Sequence, residues 1–295
     1  MRIKFGQHTI DVSERLLLVG ILNVSPDSVA DTHATTDPER AIARGVELWR
    51  AGADIVEVGG QSGRTDTDQI SVDEEITRVV PVVKGLAEQG IKVGIDTWRA
   101  EVAAAAISAG ACLVNDSGGM IDRDMPSVVA DSDASLVVME TPVRPKERGF
   151  PGYTDVVQQV CDALRSGTER ALACGVPRDR LLIDPGLDYG KTPSESLVIL
   201  RHLDEIARLG FPIFLAVSRK YFVGVITDTG PLDRLGGTLA ALAWGFSKGA
   251  RVARVHDVKE AWQAARMVEA LLWNRGQLDD PYPDERLMWL PATHG

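Results

Sequence analysis

The sequence predicts an α/β fold, a (β/α)8 TIM barrel with an N-terminal β-hairpin, on three observations. Apolar runs recur eight times along the 295 residues, each stopping at a polar or glycine cluster before the chain moves on. The runs are continuously apolar rather than alternating, the pattern of parallel strands covered by helices on both faces. Composition does not shift anywhere along the chain, and the length suits a barrel of roughly 250 residues with extensions.

In order, residues 3–12 alternate around Gly6-Gln7-His8 and read as a hairpin that plugs one end of the barrel. Strand one is 16–22, followed by the loop Asn23-Val-Ser-Pro-Asp-Ser28 and a helix opened by Asp37 as cap and Pro38 in its first turn. Strand two is 54–58, ending on Gly59-Gly60; the loop Gln61-Ser-Gly-Arg-Thr-Asp66 leads to a helix capped near Ser71, with Asp73, Glu74 and Glu75 in its first turn. Strand three, 92–95, ends at Asp96-Thr97, and 101–109 is alanine-rich and helical. Strand four, 112–114, ends at Asn115-Asp116.

Strand five, 136–139, runs into Glu140 and a Pro/Arg/Lys-rich loop to Gly152, before a long helix over 155–174. Strand six, 181–183, ends at Asp184-Pro-Gly186, and an amphipathic helix follows Pro193 through Ala207. Strand seven lies in the run that starts at Phe211 and ends on Ser218-Arg-Lys220. Strand eight, 251–255, delivers Arg254 and His256, and Asp257 is placed to cap a last helix running to about residue 272. The barrel domain is therefore read as 1–272, with the hairpin in 1–14. Residues 273–295 are polar and proline-punctuated, a surface tail.

The net charge of −10 argues against nucleic acid or an anionic membrane as partner and leaves a small molecule as the default. Cys112, Cys161 and Cys174 have neither paired nor metal-like spacing and read as packing residues in a reducing compartment. No signal peptide or spanning run is evident, so a cytoplasmic protein is expected.

Active sites of such barrels lie at the carboxyl ends of the strands. The residues handed over there are Asn23, Arg64, Asp96, Asn115, Met139, Asp184, Lys220, Arg254 and His256. Asp96, Asn115 and Asp184 can pair with adjacent N–H donors of a flat heterocycle. Arg64, Lys220, Arg254 and His256 concentrate positive charge suited to an anionic leaving group such as a phosphate. A planar base carrying phosphate satisfies both groups. Asn23 offers one hard oxygen to a magnesium ion bridging phosphate oxygens.

Each has a plainer alternative. Asp96 or Thr97 could cap the helix near Arg99, Asp184 suits a turn, Arg219 and Lys220 could be a solvated pair, and Met139 could be a pocket wall. Gly186-Leu-Asp-Tyr-Gly-Lys-Thr192 has one residue too few for a Walker A loop, and no zinc, nucleophile-elbow or dinucleotide fingerprint stands after a strand.

Together, Gly20-Ile-Leu-Asn-Val-Ser-Pro-Asp-Ser28, Val56-Glu-Val-Gly-Gly60, Gly94-Ile-Asp-Thr97, Val114-Asn-Asp116, Ile183-Asp-Pro-Gly186, Gly190-Lys-Thr192, Ser218-Arg-Lys220 and Arg254-Val-His-Asp-Val258 resemble the dihydropteroate synthase family. The resemblance implies a barrel joining dihydropterin pyrophosphate to para-aminobenzoate with release of pyrophosphate. It implies that Asp96, Asn115, Asp184, Lys220, Arg254 and Met139 hold the pterin, with Lys220, Arg254, His256 and Asp96 catalytic. Arg64, Arg254 and His256 would bind pyrophosphate, and Asn23 would help hold Mg2+.

Departures from the family pattern cluster. Val29-Ala30-Asp31 stands where the family usually has Phe-Ser-Asp, Gln61-Ser-Gly-Arg-Thr65 replaces Glu-Ser-Thr-Arg-Pro, Met139-Glu140 replaces Met-His, and Tyr221 takes the place of a serine. These changes fall where the aromatic amine would sit. The alternatives are a synthase with altered loops, one using another amine, or a pterin-binding paralogue without synthase activity; a pterin-dependent methyltransferase ranks below these. Trp262, Met267 and Leu271 on the last helix could pack a homodimer.

Overall fold

A computed structural model describes residues 1–26, 34–63 and 65–273. The expectations for Arg64, for Val29-Ala30-Asp31 and for the tail beyond Trp273 lie outside the described residues.

Eight parallel strands close into a barrel: β3 (Leu17–Asn23), β4 (Ile55–Gly59), β5 (Val93–Asp96), β6 (Ala111–Asp116), β7 (Ser135–Met139), β8 (Leu181–Asp184), β9 (Ile213–Ala216) and β10 (Ala250–Val255). They run in sequence order around the barrel, and β10 pairs with β3 to close it. Before them, β1 (Arg2–Phe5) and β2 (His8–Asp11) form the antiparallel hairpin. Its Ile3 and Phe5, with Val12, pack on the lowest inward layer of the strands, Leu17, Ile55, Leu113, Val137, Leu182, Phe214 and Val252. This seals one end of the barrel with apolar side chains and leaves the other for polar chemistry. Each large apolar side chain buried here is worth about 1.5–3 kcal/mol.

Outward-facing strand residues such as Leu18, Val56, Ile95, Val114, Leu136, Ile183 and Leu215 join the helices in a second, larger core. Two of the expected caps form: Asp37 accepts from the amides of Glu39 and Arg40, and Ser71 from that of Glu74. The long helix is Val156–Ala173, capped by Asp155, whose carboxylate accepts from Gln158.

Three expectations change. The helix after Pro193 is two, Pro193–Arg201 and Leu203–Ala207, because His202 leaves the helical region (φ −106°, ψ 24°). Strand four extends through Asn115 and Asp116, which continue the ladder opposite Val137 and Val138. Asp257 gives its side chain to Arg219, and its carbonyl accepts from Ala261. The helices Met125–Ala130, Tyr221–Thr227 and Leu235–Ser247 had no counterpart in the sequence reading.

Candidate active site

The barrel register decides which strand-end residues meet. Asn23 pairs with Gly59, Gly59 with Asp96, and Asp96 with Asn115, so β3 to β6 present one level at the open end. Met139 pairs with Asp184 on β7 and β8, carrying the same level further round the barrel. Arg254 on β10 reaches across to this level: its Nη2 donates to Asp96 Oδ2 at 2.8 Å and its Nε to Glu57 Oε1.

Glu57 was not among the sequence-derived site residues, because it lies inside an apolar strand. It is completely buried, and its side chain occupies space left by Gly94 in the neighbouring strand, where a Cβ would stand 3.4 Å from Glu57 Cγ. Burial pushes its carboxyl up to about 7, against the attraction of Arg254. Burial also opposes the charge of Arg254, but Glu57 and Asp96 outweigh it and hold the guanidinium pKa above its usual value. Asp96 therefore serves Arg254 rather than capping a helix. The helix Ala100–Ser108 has no side-chain bond from its Arg99 cap, and Asp122 Oδ2 accepts from Ala100 N at 2.8 Å instead.

Asp184 is buried at the end of β8, and its Oδ1 accepts from Gly186 N at 2.8 Å. Burial raises its pKa, with Lys220 pulling the other way. Lys220 Nζ donates to Leu187 O at 2.6 Å and stands 4.3 Å from the centre of the Tyr189 ring. Burial lowers its pKa, opposed by Asp188 and Asp184. Asp188 also caps the helix Tyr221–Thr227, accepting from Phe222 N at 3.2 Å, so the loops after β8 and β9 are tied together.

Beneath these loops lies a second feature that the sequence did not disclose. Lys191 is buried and ion-paired with Glu140, and its Nζ also donates to the carbonyls of Gly186 (2.9 Å) and Tyr189 (3.1 Å). Tyr153 donates to Glu140 Oε1 at 3.0 Å. The β8 loop passes so close to β7 that a Cβ on Gly186 (φ +64°) would lie 1.8 Å from Glu140 O, which only glycine avoids. The segment resembling a Walker loop is thus a packed turn, with Thr192 and Glu195 forming a capping box for the helix Pro193–Arg201.

His256 and Ser218 face each other just beyond the ends of the neighbouring strands β10 and β9. His256 Nδ1 lies 3.0 Å from Ser218 Oγ, which also accepts from His256 N at 3.1 Å. The loop after β7 leans over the mouth, where Lys146 Nζ donates to Thr67 Oγ1 at 2.8 Å and Arg148 Nε to Thr65 Oγ1.

Asn23, Asp96, Asn115, Met139, Asp184, Lys220, Arg254 and His256 thus all stand at the open end of one barrel, as the sequence led us to expect. The fold and this cluster define an α/β-barrel protein with carboxylate, amide and basic side chains gathered at the carboxyl ends of its strands. The model for "pterin binding enzyme" matches residues 19–256. A dihydropteroate synthase of Bacillus subtilis is 35% identical over 286 residues, covering 92% of this chain and 98% of the relative. An "inactive dihydropteroate synthase 2" of Mycobacterium leprae is 39% identical over 271 residues, covering 89% of this chain and 93% of the relative. The solved dihydropteroate synthase of Thermus thermophilus in complex with 4-aminobenzoate superposes with a TM-score of 0.82 at 34% identity, covering 92% of this chain and all of that one. The chain belongs to the pterin-binding enzyme family and stands among the dihydropteroate synthases.

Proposed function

We propose that the protein is a dihydropteroate synthase, a transferase of folate biosynthesis that condenses dihydropterin pyrophosphate with para-aminobenzoate. The observation that carries this is the convergence of two chemistries in one pocket. Asp184 and Asn115 offer buried acceptors to the N–H edge of a pterin, and Arg254 and Lys220 supply cations at the mouth beside the His256 imidazole. Asp96, tied to Arg254, holds that guanidinium where it can stack on the ring, and Met139 forms the wall beside it. Arg64 completes the anion site by its place in the sequence.

The reaction breaks the bond from the pterin methylene carbon to the pyrophosphate oxygen, whose electron pair leaves with pyrophosphate. The amine nitrogen then forms the new bond with its lone pair and loses a proton. No side chain is covalently modified. The protein contributes alignment of the two reactants and stabilisation of charge on the leaving group.

Magnesium fits this pocket as a partner of the substrate. Asn23 Oδ1 and Asp96 Oδ2 border the same space beside Gly59, where a Cβ would lie 3.8 and 3.9 Å from them. Among the described residues no group of three or more His, Cys, Asp or Glu is placed to hold a metal. Asn23 would serve as one ligand, with phosphate oxygens and water in the rest of the shell. A bound ion would neutralise charge on the departing pyrophosphate. A cytoplasmic setting accords with the reading. Among the described residues no helix is long and apolar enough to cross a membrane.

A second reading, a pterin-binding paralogue without synthase activity, is favoured by Tyr221 and by the 39% identity to a relative named inactive. Mass spectrometry of a reaction containing dihydropterin pyrophosphate, para-aminobenzoate and Mg2+ separates the two. Formation of dihydropteroate supports the synthase; pterin bound with no condensation product supports the paralogue.

A further inference from the structure

We propose that Lys146 and Arg148, at the tip of the loop after β7, are positioning residues for the amine-binding step, crossing the mouth of the barrel to fix Thr67 and Thr65 in the loop after β4. On the synthase reading, on which this rests, the loop after β4 lies beside the aromatic amine. Strands β5 and β6 stand between β4 and β7 in the barrel. Contact between the two loops therefore bridges the strand ends that carry Asp96 and Asn115.

The loop after β7 is built for that reach. Its root is closed by Tyr153, which donates to Glu140 Oε1 at 3.0 Å, and by the buried pair of Glu140 with Lys191. At its tip Arg144 O accepts from Glu147 N at 3.0 Å, with Pro145 and Lys146 between them, and Lys146 is left-handed (φ +68°). That is the place where a type II turn with proline before it prefers glycine. A lysine there carries backbone strain that a glycine would relieve, and what the turn delivers is its side chain. Lys146 Nζ donates to Thr67 Oγ1 at 2.8 Å, and Arg148 Nε donates to Thr65 Oγ1.

Both threonines lie midway along the loop after β4. Its two ends are anchored from below, where Arg78 Nη1 donates to Gly60 O at 3.1 Å and Arg99 Nη2 to Ile70 O at 2.6 Å. From the opposite side of the barrel the loop after β8 also meets it, since a Cβ on Gly63 would lie 3.8 Å from the Tyr189 hydroxyl oxygen. Thr65 stands where the family pattern has proline, whose ring fixes φ without a partner. Threonine lacks that constraint and has a hydroxyl instead, so the hydrogen bond from Arg148 takes over the ordering of this segment.

The test compares the wild type with Arg148→Met, Arg148→Gln, Thr65→Val and the double variant of Arg148→Met with Thr65→Val. Glutamine places an N–H2 as many bonds from the backbone as arginine Nε, without the charge, and methionine fills the same space with no donor. One readout is hydrogen–deuterium exchange of the free protein, followed by mass spectrometry over residues 61–70; the other is steady-state KM for each substrate. Arg148→Met and Thr65→Val are each expected to speed exchange there and to raise KM for para-aminobenzoate about fivefold, the weight of one net hydrogen bond, with KM for the pterin changed by less than about twofold. The double variant should be no worse than either single one, and Arg148→Gln should stay near the wild type. Unchanged exchange or an unchanged amine KM in Arg148→Met would overturn the positioning role. So would multiplying effects in the double variant, or a glutamine variant as impaired as the methionine one, which would mark a charge contact with a substrate. A wild type that forms no dihydropteroate would overturn the synthase reading itself, and this role with it.

Discussion

Arg219 grips Asp257 with both ends of its guanidinium, Nη2 to Oδ1 at 2.6 Å and Nε to Oδ2 at 2.9 Å, and so joins the loop after β9 to the start of the last helix. Each member of the pair is next in sequence to a proposed site residue, Lys220 on one side and His256 on the other. Arg219 itself takes a left-handed conformation (φ +54°), with its amide donating to Thr238 Oγ1 at 3.0 Å. The pair is a clamp that places Lys220 and His256, although the sequence allowed Arg219 to be solvated beside Lys220.

Arg219→Ala is expected to cost about 2 kcal/mol in thermal or denaturant unfolding. It is also expected to raise KM for the pterin substrate, because Lys220 and His256 lose their fixed separation. Arg219→Lys should rescue little, since an ammonium cannot hold both carboxylate oxygens in one plane. Wild-type stability and KM in the lysine variant would count against the clamp.

Lys191→Met leaves Glu140 buried without its cation and is expected to cost about 3–5 kcal/mol. Adding Glu140→Leu should recover much of the loss, giving a strongly non-additive cycle. Chemical denaturation of the two single variants and the double measures this, and additive losses would mean that the pair does not act as a unit.

The raised carboxyl of Glu57 also makes a pH prediction. Its ordinary value is 4.5 and its folded value about 7, so the folded state holds the proton more tightly. Its contribution to stability is complete below about 4.5 and is lost as pH rises through about 7. The loss is at most about 3 kcal/mol. Glu57→Gln should remove this part of the slope, so that unfolding curves of variant and wild type converge, or cross in the variant's favour, between about pH 4 and about pH 8. Parallel curves would contradict the assignment.

Tyr221 is exposed at the start of the helix Tyr221–Thr227, directly after Lys220. If its bulk narrows the approach of the aromatic amine, Tyr221→Ser should lower KM for para-aminobenzoate severalfold with little change in KM for the pterin. Steady-state kinetics in each substrate tests this; an unchanged amine KM would remove Tyr221 from the amine site.

The barrel was legible because eight buried parallel strands must be continuously apolar, and each gives up its apolar character where it meets the mouth. The same rule exposed Asp96, Asn115, Asp184 and Arg254. It concealed Glu57, since the inward or outward facing of a residue within an apolar run depends on barrel register, which the sequence does not carry. The pairing of Lys191 with Glu140, 51 positions apart, was likewise invisible until the β7 and β8 loops were brought together. The partner of Arg219 was out of reach of the sequence because it lies on the next strand's loop. The short helix Met125–Ala130 is a further case, with too few turns to build a readable period.

The most direct test of the central claim is pyrophosphate release from dihydropterin pyrophosphate with Mg2+, measured with and without para-aminobenzoate, beside a Lys220→Ala control. The synthase account predicts release that depends on the amine and is lost in the control. Pterin binding that falls in Asp184→Ala, with no amine-dependent release by the wild type, would contradict it and leave a pterin site put to another use.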